Sequence, residues 1–309
     1  MRDTIEYRSS NGVETVYADL YTPEGQPKGI VQIVHGMCEH IGRYQPVMEW
    51  LCSQGYAVCG HDQIGHGRSC AVNGTGYFAP KDGWDCLVKD ARQLTILARG
   101  RWPGVPVYLL GHSMGSFVAR EYITRYRDLA GVVLSGTGGP SPVYGPARAL
   151  IAGMKAVKGE KYRSERINDL VFGGMGKQFP ESPFAWLSRD TEAVAAYEAD
   201  PLCGFIFTLS AYGDLMTLLD RVNRREWAER VPRGLAVYLF SGAEDPVGAN
   251  GEGVRTVAKW LAEAGVRPVK MKLYPGGRHE MLNETNRGEV WGDLLAWLER
   301  RGKKLAAME

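Results

Sequence analysis

A chain of 309 residues with 44% hydrophobic residues, 23% charged residues and a formal net charge of +2 has the balance of an ordinary globular protein, with room for one large α/β domain plus an insertion, or for two modest domains. Its basic residues are interspersed with acidic ones, which excludes an electrostatic argument for nucleic acid as a partner. The opening M-R-D-T-I-E-Y-R-S-S is too charged for a secretory signal and no apolar run approaches a membrane span, so the expected location is cytoplasmic.

Residues 4–21 alternate in strand fashion around Ser9-Ser10-Asn11-Gly12, which predicts an antiparallel hairpin. A buried strand is expected over 29–34, stopping at His35-Gly36, followed by a helix over 44–54 that Gly55 closes. Residues 56–60 form another short apolar run, leading into the loop H-D-Q-I-G-H-G-R-S, and 82–99 has helical periodicity. Then comes V-Y-L-L-G-H-S-M-G-S-F over 107–117: an apolar strand, a sharp turn with Ser113 at its apex, and the start of a helix. Such a turn lifts a hydroxyl off the sheet in a backbone conformation that side chains normally avoid. Gly111 and Gly115 flank it because a Cβ at either position would collide with the neighbouring strand or helix.

Further strands are expected over 131–135, 235–240 and 269–274, and helices over 252–264 and 287–300. This alternation of strand and helix argues for a mostly parallel, doubly wound α/β sheet. Residues 138–202 break the rhythm. They contain no strand-like run, only short helical patches broken by Gly and Pro and studded with aromatic residues and Met, so they are expected to form an excursion at the carboxyl edge of the sheet that covers a site.

A serine hydroxyl needs a base, and the base needs a group that holds its tautomer. Of the six histidines, His35, His40, His61 and His66 belong to early loops, and His112 is expected to be turned away from the serine it adjoins. His279, in Y-P-G-G-R-H-E after the last strand, opens at the same carboxyl edge as Ser113 and is the expected base. The orienting acid is expected to be Asp245 in S-G-A-E-D-P-V, held extended by Pro246, with Glu244 as the rival. The order Ser113, Asp245, His279 is that of one hydrolase architecture among several. An oxyanion would be received by the backbone amides of Met114, at the helix start, and of Met37 in the turn after His35. The six cysteines lack C-x-x-C spacing and are expected as free thiols, Cys38 being a bystander. His279-Glu280 is followed by Met281-Leu282-Asn283, which breaks the H-E-x-x-H spacing, so no metal and no cofactor are expected.

The elements H-G-M-C-E-H-I-G-R-Y, H-D-Q-I-G-H-G-R-S, G-H-S-M-G-S, S-G-A-E-D-P-V and G-G-R-H-E resemble those of α/β-hydrolase fold enzymes, in the monoacylglycerol lipase and lysophospholipase branch grouped with the serine aminopeptidases. The resemblance spans nearly the whole chain and is weakest over 138–202. It implies an α/β-hydrolase core over 1–137 and 203–309, a cap or lid over 138–202, a triad of Ser113, Asp245 and His279, an oxyanion hole at Met37 and Met114, and a cofactor-independent hydrolase. Its expected substrate is a small-molecule ester of a single-chain lipid, a monoacylglycerol or lysophospholipid. Glu39 and Arg43 match family positions at the polar end of the site, although an i,i+4 ion pair at a helix start accounts for them equally well. A peptidase or amidase using cap carboxylates (Glu181, Asp190, Glu192, Glu198) and a non-catalytic small-ligand binder on the same scaffold remain as alternatives. The basic run Arg300-Arg301-Gly302-Lys303-Lys304 allows at most a transient contact with a membrane surface.

Overall fold

The computed structural model describes residues 1–172 and 174–307. An eight-stranded sheet in the order β1-β2-β4-β3-β5-β6-β7-β8 organises the chain. β1 (Arg2–Arg8) and β2 (Thr15–Tyr21) form the expected hairpin, and β2 pairs antiparallel with β4 (Ala57–His61). From β4 onward every pairing is parallel, through β3 (Ile30–Val34), β5 (Val107–His112), β6 (Gly131–Ser135), β7 (Ala236–Gly242) and the edge strand β8 (Val269–Tyr274).

The parallel strands read as continuous apolar runs because helices cover both faces of the sheet. β3 through β7 have no exposed residue, and the one polar side chain in β3, Gln32, donates to the Ala91 carbonyl and accepts from Thr95 Oγ1. The edge strand differs: V-K-M-K-L-Y is partly exposed and carries Lys270 and Lys272, which discourage pairing with another chain. One core lies between the sheet and α2 (Gly83–Arg101), α3 (Met114–Arg125) and α9 (Glu252–Glu263). The other lies under α1 (Gln45–Ser53) and α10 (Arg287–Ala306).

Between β6 and β7 the chain leaves the sheet. Residues 138–202 contain α4 (Tyr144–Lys158), α5 (Glu165–Phe172) and α6 (Thr191–Ala199), with two 3-10 turns and a small core around Phe179, Trp186 and Tyr197. α4 is longer than the short patches expected, because Gly145, Pro146 and Gly153 fall at its first turn or on its exposed face. The stretch after it, to which sequence periodicity gave no element, holds α7 (Leu209–Val222) and α8 (Arg225–Glu229). α7 packs on α2 and α3 of the sheet layer and on α4 of the excursion.

α10 continues to Ala306, so the basic run of residues 300–304 is helical. Lys303 lines a groove with Pro106 and Val107 at the amino end of β5, the end of the sheet opposite Ser113. Among the described residues no helix is long and apolar enough to cross a membrane.

His61 and His66 have no exposed surface, and both ring nitrogens of His61 and Nε2 of His66 have no partner among the described residues. Burial pushes both imidazoles from 6.5 down to about 3. The unfolded chain therefore binds these protons more tightly, so the stability present above pH 6.5 is lost as pH falls toward 3. Melting temperature should decline steadily between pH 7 and about 4.5, and less steeply in a His61→Leu variant; a pH-independent melting temperature over that range would refute this.

Candidate active site

The site is built at the carboxyl ends of β3, β5, β6, β7 and β8. Ser113 sits between β5 and α3 with φ 51° and ψ −120°, in a region that costs a non-glycine residue energy. The conformation is held from both sides: the Ser113 amide donates to the Ser135 carbonyl at 2.9 Å, and the Ser113 carbonyl accepts from the amide and hydroxyl of Ser116 at 2.9 and 2.6 Å. The glycines act as expected. A Cβ on Gly111 would run into the backbone of Gly115, and one on Gly115 into the carbonyls of Val34 and His35. Only bare backbone lets α3 start this close to β3 and β5.

His279 is buried, and its Nδ1 lies 3.0 Å from Asp245 Oδ1. Asp245 also accepts from the Ser241 hydroxyl at 2.7 Å and the Val247 amide at 2.9 Å. Burial alone would raise the Asp245 pKa; the neighbouring His279 charge and these hydrogen bonds outweigh it and hold the carboxyl below its ordinary value. For His279 burial works downward, but Asp245 first, then Glu280 and Glu39, raise the imidazole above 6.5. With Nδ1 committed to Asp245, Nε2 has no partner among the described residues and lines the same cavity as Ser113. The rival Glu244 is exposed.

The backbone amides of Met37 and Met114 also find no acceptor among the described residues. Met114 opens α3, where the first amides have no intrahelical partner. Met37 and Ser113 line two cavities at once, and Met114 lines one of them.

Glu39 and Arg43 do form the i,i+4 ion pair, at 2.7 Å, but it is one edge of a larger buried network. Arg43 grips Glu280 through two hydrogen bonds of 2.6 and 2.7 Å, and its guanidinium lies 4.8 Å from the Tyr197 ring centre. Glu39 accepts from the Gly36 amide and from the Tyr44 hydroxyl. Burial would raise the Glu39 pKa, but Arg43 and then His112 and His35 bring it down to about 2. Glu39 and Glu280 line a cavity and Arg43 does not. Arg43 thus ties the turn that presents Met37 to the loop that presents His279.

The His112 side chain is a correction to the sequence reading. It is not turned elsewhere: its ring packs 4.8 Å from that of His279, and its Nδ1 lies 3.2 Å from Ser135 Oγ. Burial and then His279 lower it to about 4, so it stays neutral beside the other imidazole. The bare backbone of Gly136 makes room for both rings, since a Cβ there would lie 2.9 Å from His279 Cε1 and 3.3 Å from His112 Cε1. The G-T-G-G-P run after β6 was the available sequence signal for that gap.

The Cys38 thiol donates to the Phe205 carbonyl at 2.8 Å, and burial pushes its pKa well up, which leaves it protonated and unreactive. His40, Asp200 and Cys203 cluster closely enough to suggest a cation site. However, His40 Nδ1 accepts from the Gly42 amide, which puts the ring proton on Nε2, and that proton is given to Asp200 at 2.8 Å. Neither ring nitrogen is left to ligate a metal.

Two cavities meet at Met37, Ser113, Phe172 and Trp186. The smaller, about 220 Å³, holds His279, Glu39 and Glu280, together with Asn168 and Asp169 from α5. The larger, about 450 Å³, holds Met114 and runs between α3, α4, α5 and α7 past Phe117, Leu170, Leu215, Met216 and Leu219. The carboxylates proposed for an amine site lie elsewhere. Glu181 pairs with Arg278, Asp190 caps α6 and pairs with Arg287, Glu198 accepts from Ser182, and Glu192 is exposed. The excursion carboxylate that does reach a cavity is Asp169, which helical spacing in 165–172 could have placed on the same face as Phe172.

This sheet order, with a strained serine after β5 and a carboxylate-bonded histidine after β8, defines an α/β-hydrolase fold protein. The family profile described as Serine aminopeptidase, S33, matches residues 25–286, and the chain belongs to that family. It is 31% identical to a monoacylglycerol lipase of Mycolicibacterium smegmatis over 96% of this chain and 97% of that protein. It is 27% identical to the human monoglyceride lipase, covering 93% of this chain and 87% of that one. Among solved structures, a thermostable carboxyl esterase from Bacillus coagulans in complex with glycerol superposes with a TM-score of 0.92 at 30% identity, covering 97% of this chain and 99% of that one. A soluble variant of Saccharomyces cerevisiae monoglyceride lipase in complex with a substrate analogue shares the fold, with a TM-score of 0.77 at 18% identity over 97% and 95% of the two chains.

Arg43→Met should leave Glu39 and Glu280 buried with no cation between them and destabilise the protein by about 3–5 kcal/mol. Adding Glu280→Gln to that variant should restore part of the loss in thermal melts, and an unchanged melting temperature for Arg43→Met alone would show the network to be dispensable.

Proposed function

We propose that Ser113 is the nucleophile, His279 the general base and Asp245 its orienting partner in the hydrolysis of a single-chain lipid ester. His279 Nε2 takes the Ser113 proton, the alkoxide attacks the acyl carbonyl, and the amides of Met37 and Met114 receive the oxyanion. The alcohol leaves with the proton from His279, and water then releases the fatty acid from the acyl-enzyme.

The observation that carries this reading is the division of space at Ser113. Protonation of the leaving oxygen by His279 directs the alcohol to the smaller cavity, which His279 lines; the apolar cavity, which Met114 lines, is left for the acyl tail. Residues 138–202 act as the cap over both, since α4 and α5 wall the acyl side and Phe184, Trp186 and Tyr197 wall the alcohol side.

Two features favour a glycerol leaving group over a phosphate-bearing one. Among the described residues no Lys or Arg side chain lines the smaller cavity, so a phosphate would find no permanent cation there. The similar Bacillus coagulans carboxyl esterase was solved in complex with glycerol. We therefore read the substrate as a monoacylglycerol, with lysophospholipids second. The strained Ser113 backbone and the unpartnered His279 Nε2 speak for catalysis rather than for a passive ligand-binding role. Any contact with a lipid surface falls to exposed Leu150, Val157 and Leu170 on the cap helices, not to the basic run of α10 at the far end of the sheet.

Ser113→Ala and Asp245→Asn should each lower hydrolysis of p-nitrophenyl esters by about 10⁴-fold, while Glu244→Gln stays near wild type. Because the His279 pKa is raised, kcat/KM should climb with pH through a midpoint above 6.5; a midpoint well below that would remove His279 as the base. In a turnover panel, monoacylglycerols should exceed lysophosphatidylglycerol of equal chain length by about tenfold or more, and aminoacyl arylamides should be the poorest substrates. An arylamide as the best substrate would instead support a peptidase.

A further inference from the structure

The walls of the smaller cavity have a definite electrostatic sign. Glu39, Asp169 and Glu280 line it together with His112 and His279, and among the described residues no Lys or Arg side chain does. Arg43 lies behind Glu39 and Glu280 and offsets one of their two charges, so the network as a whole stays negative. Asp169 has no hydrogen-bond or ion-pair partner among the described residues, and its carboxylate is exposed on α5 at this cavity. The rest of the wall is aromatic, formed by Phe172, Phe184, Trp186, Tyr197 and Phe205. Within this wall Phe172 stacks on Trp186 at 6.2 Å, Trp186 lies 5.1 Å from His279, and Phe184 lies 5.0 Å from Tyr197. His279, whose buried Nε2 has no partner among the described residues, also lines this space.

Unpaired carboxylate charge beside several aromatic faces is the chemistry that holds an ammonium group, through Coulomb attraction and the ring quadrupoles together. One such contact already exists on the far side of the wall, where the Arg43 guanidinium lies 4.8 Å from the Tyr197 ring centre. A glycerol head uses only the hydrogen-bonding capacity of this cavity and none of its charge. About 220 Å³ suits a head of a few heavy atoms and excludes a second acyl chain.

We propose that the leaving-group cavity is a cation site, and that the protein hydrolyses fatty acyl esters of amino alcohols, choline-type esters in particular, in addition to monoacylglycerols. The reaction is the same hydrolysis: the acyl C–O bond breaks, His279 returns the proton to the alkoxide, and water supplies the oxygen of the fatty acid, releasing the free amino alcohol. This rests on the assignment of the smaller cavity to the leaving group.

The test compares three laurate esters on the full chain at low ionic strength: lauroylcholine, its uncharged isostere 3,3-dimethylbutyl laurate, and 1-monolauroylglycerol. Lauroylcholine should exceed the isostere in kcat/KM by about tenfold, a ratio equivalent to about 1.4 kcal/mol. That ratio should fall severalfold in Asp169→Asn, and in wild type should shrink as salt is raised toward 0.5 M, because the interaction with an exposed carboxylate is screened. Equal rates for the two isosteres, or a ratio that neither salt nor Asp169→Asn changes, would overturn the proposal. If the glycerol ester is turned over while the two isosteres are equal, only the cation site fails. If none of the three esters is hydrolysed, the ester hydrolase reading fails with it.

Discussion

Everything at this site depends on how closely three backbone segments approach one another. α3 begins against β3 and β5 at a distance that no Cβ on Gly111 or Gly115 could share, and that closeness forces the left-handed turn at Ser113. Two results follow from the same contact. The serine hydroxyl stands clear of the sheet, and the first amides of α3 open into the space beside it, next to the turn that carries Met37. A looser packing would leave the serine in an ordinary helix start, with its hydroxyl capping its own backbone.

Around that turn the electrostatics are arranged in depth. Asp245 is buried and fully hydrogen-bonded, so it stays ionised and fixes one nitrogen of His279. Glu39 and Glu280 add negative potential at longer range, and Arg43 prevents them from repelling each other. Because Arg43 is shared, the turn that carries Met37 and the loop that carries His279 are tied together, although they come from opposite ends of the chain. His112 completes the packing as a neutral ring against His279, kept uncharged by burial.

The excursion between β6 and β7 supplies what the sheet cannot, namely walls. Its helices enclose an apolar volume on one side of Ser113 and an aromatic, acidic volume on the other. A substrate with one alkyl chain and one small head would have both ends sorted before reaction, which is the kind of positioning that lowers a barrier by removing rotational freedom. The acidic residues of the second volume come from three segments: Glu39 from the turn after β3, Asp169 from α5 and Glu280 from the loop after β8.

Much of this was legible in the linear sequence. All eight strands and the helices that alternate with them follow from apolar runs, turn residues and periodicity. Ser113 follows from its glycines, and Asp245 over Glu244 from the proline that follows it. α7 was passed over although Leu215, Leu218, Leu219 and Val222 recur in it at helical spacing and are buried. The role of Arg43, the direction of the His112 ring and the arrival of Asp169 at the cavity could not be read in advance. Periodicity and turn chemistry report only on near neighbours. Arg43 and Glu280 are 237 residues apart, and what brings them together is the pairing of β3, β5, β6, β7 and β8 in register at one edge. The sequence by itself determined which groups could do the chemistry; the tertiary structure decided which of them face one another, because that depends on long-range register and on the space left by missing side chains.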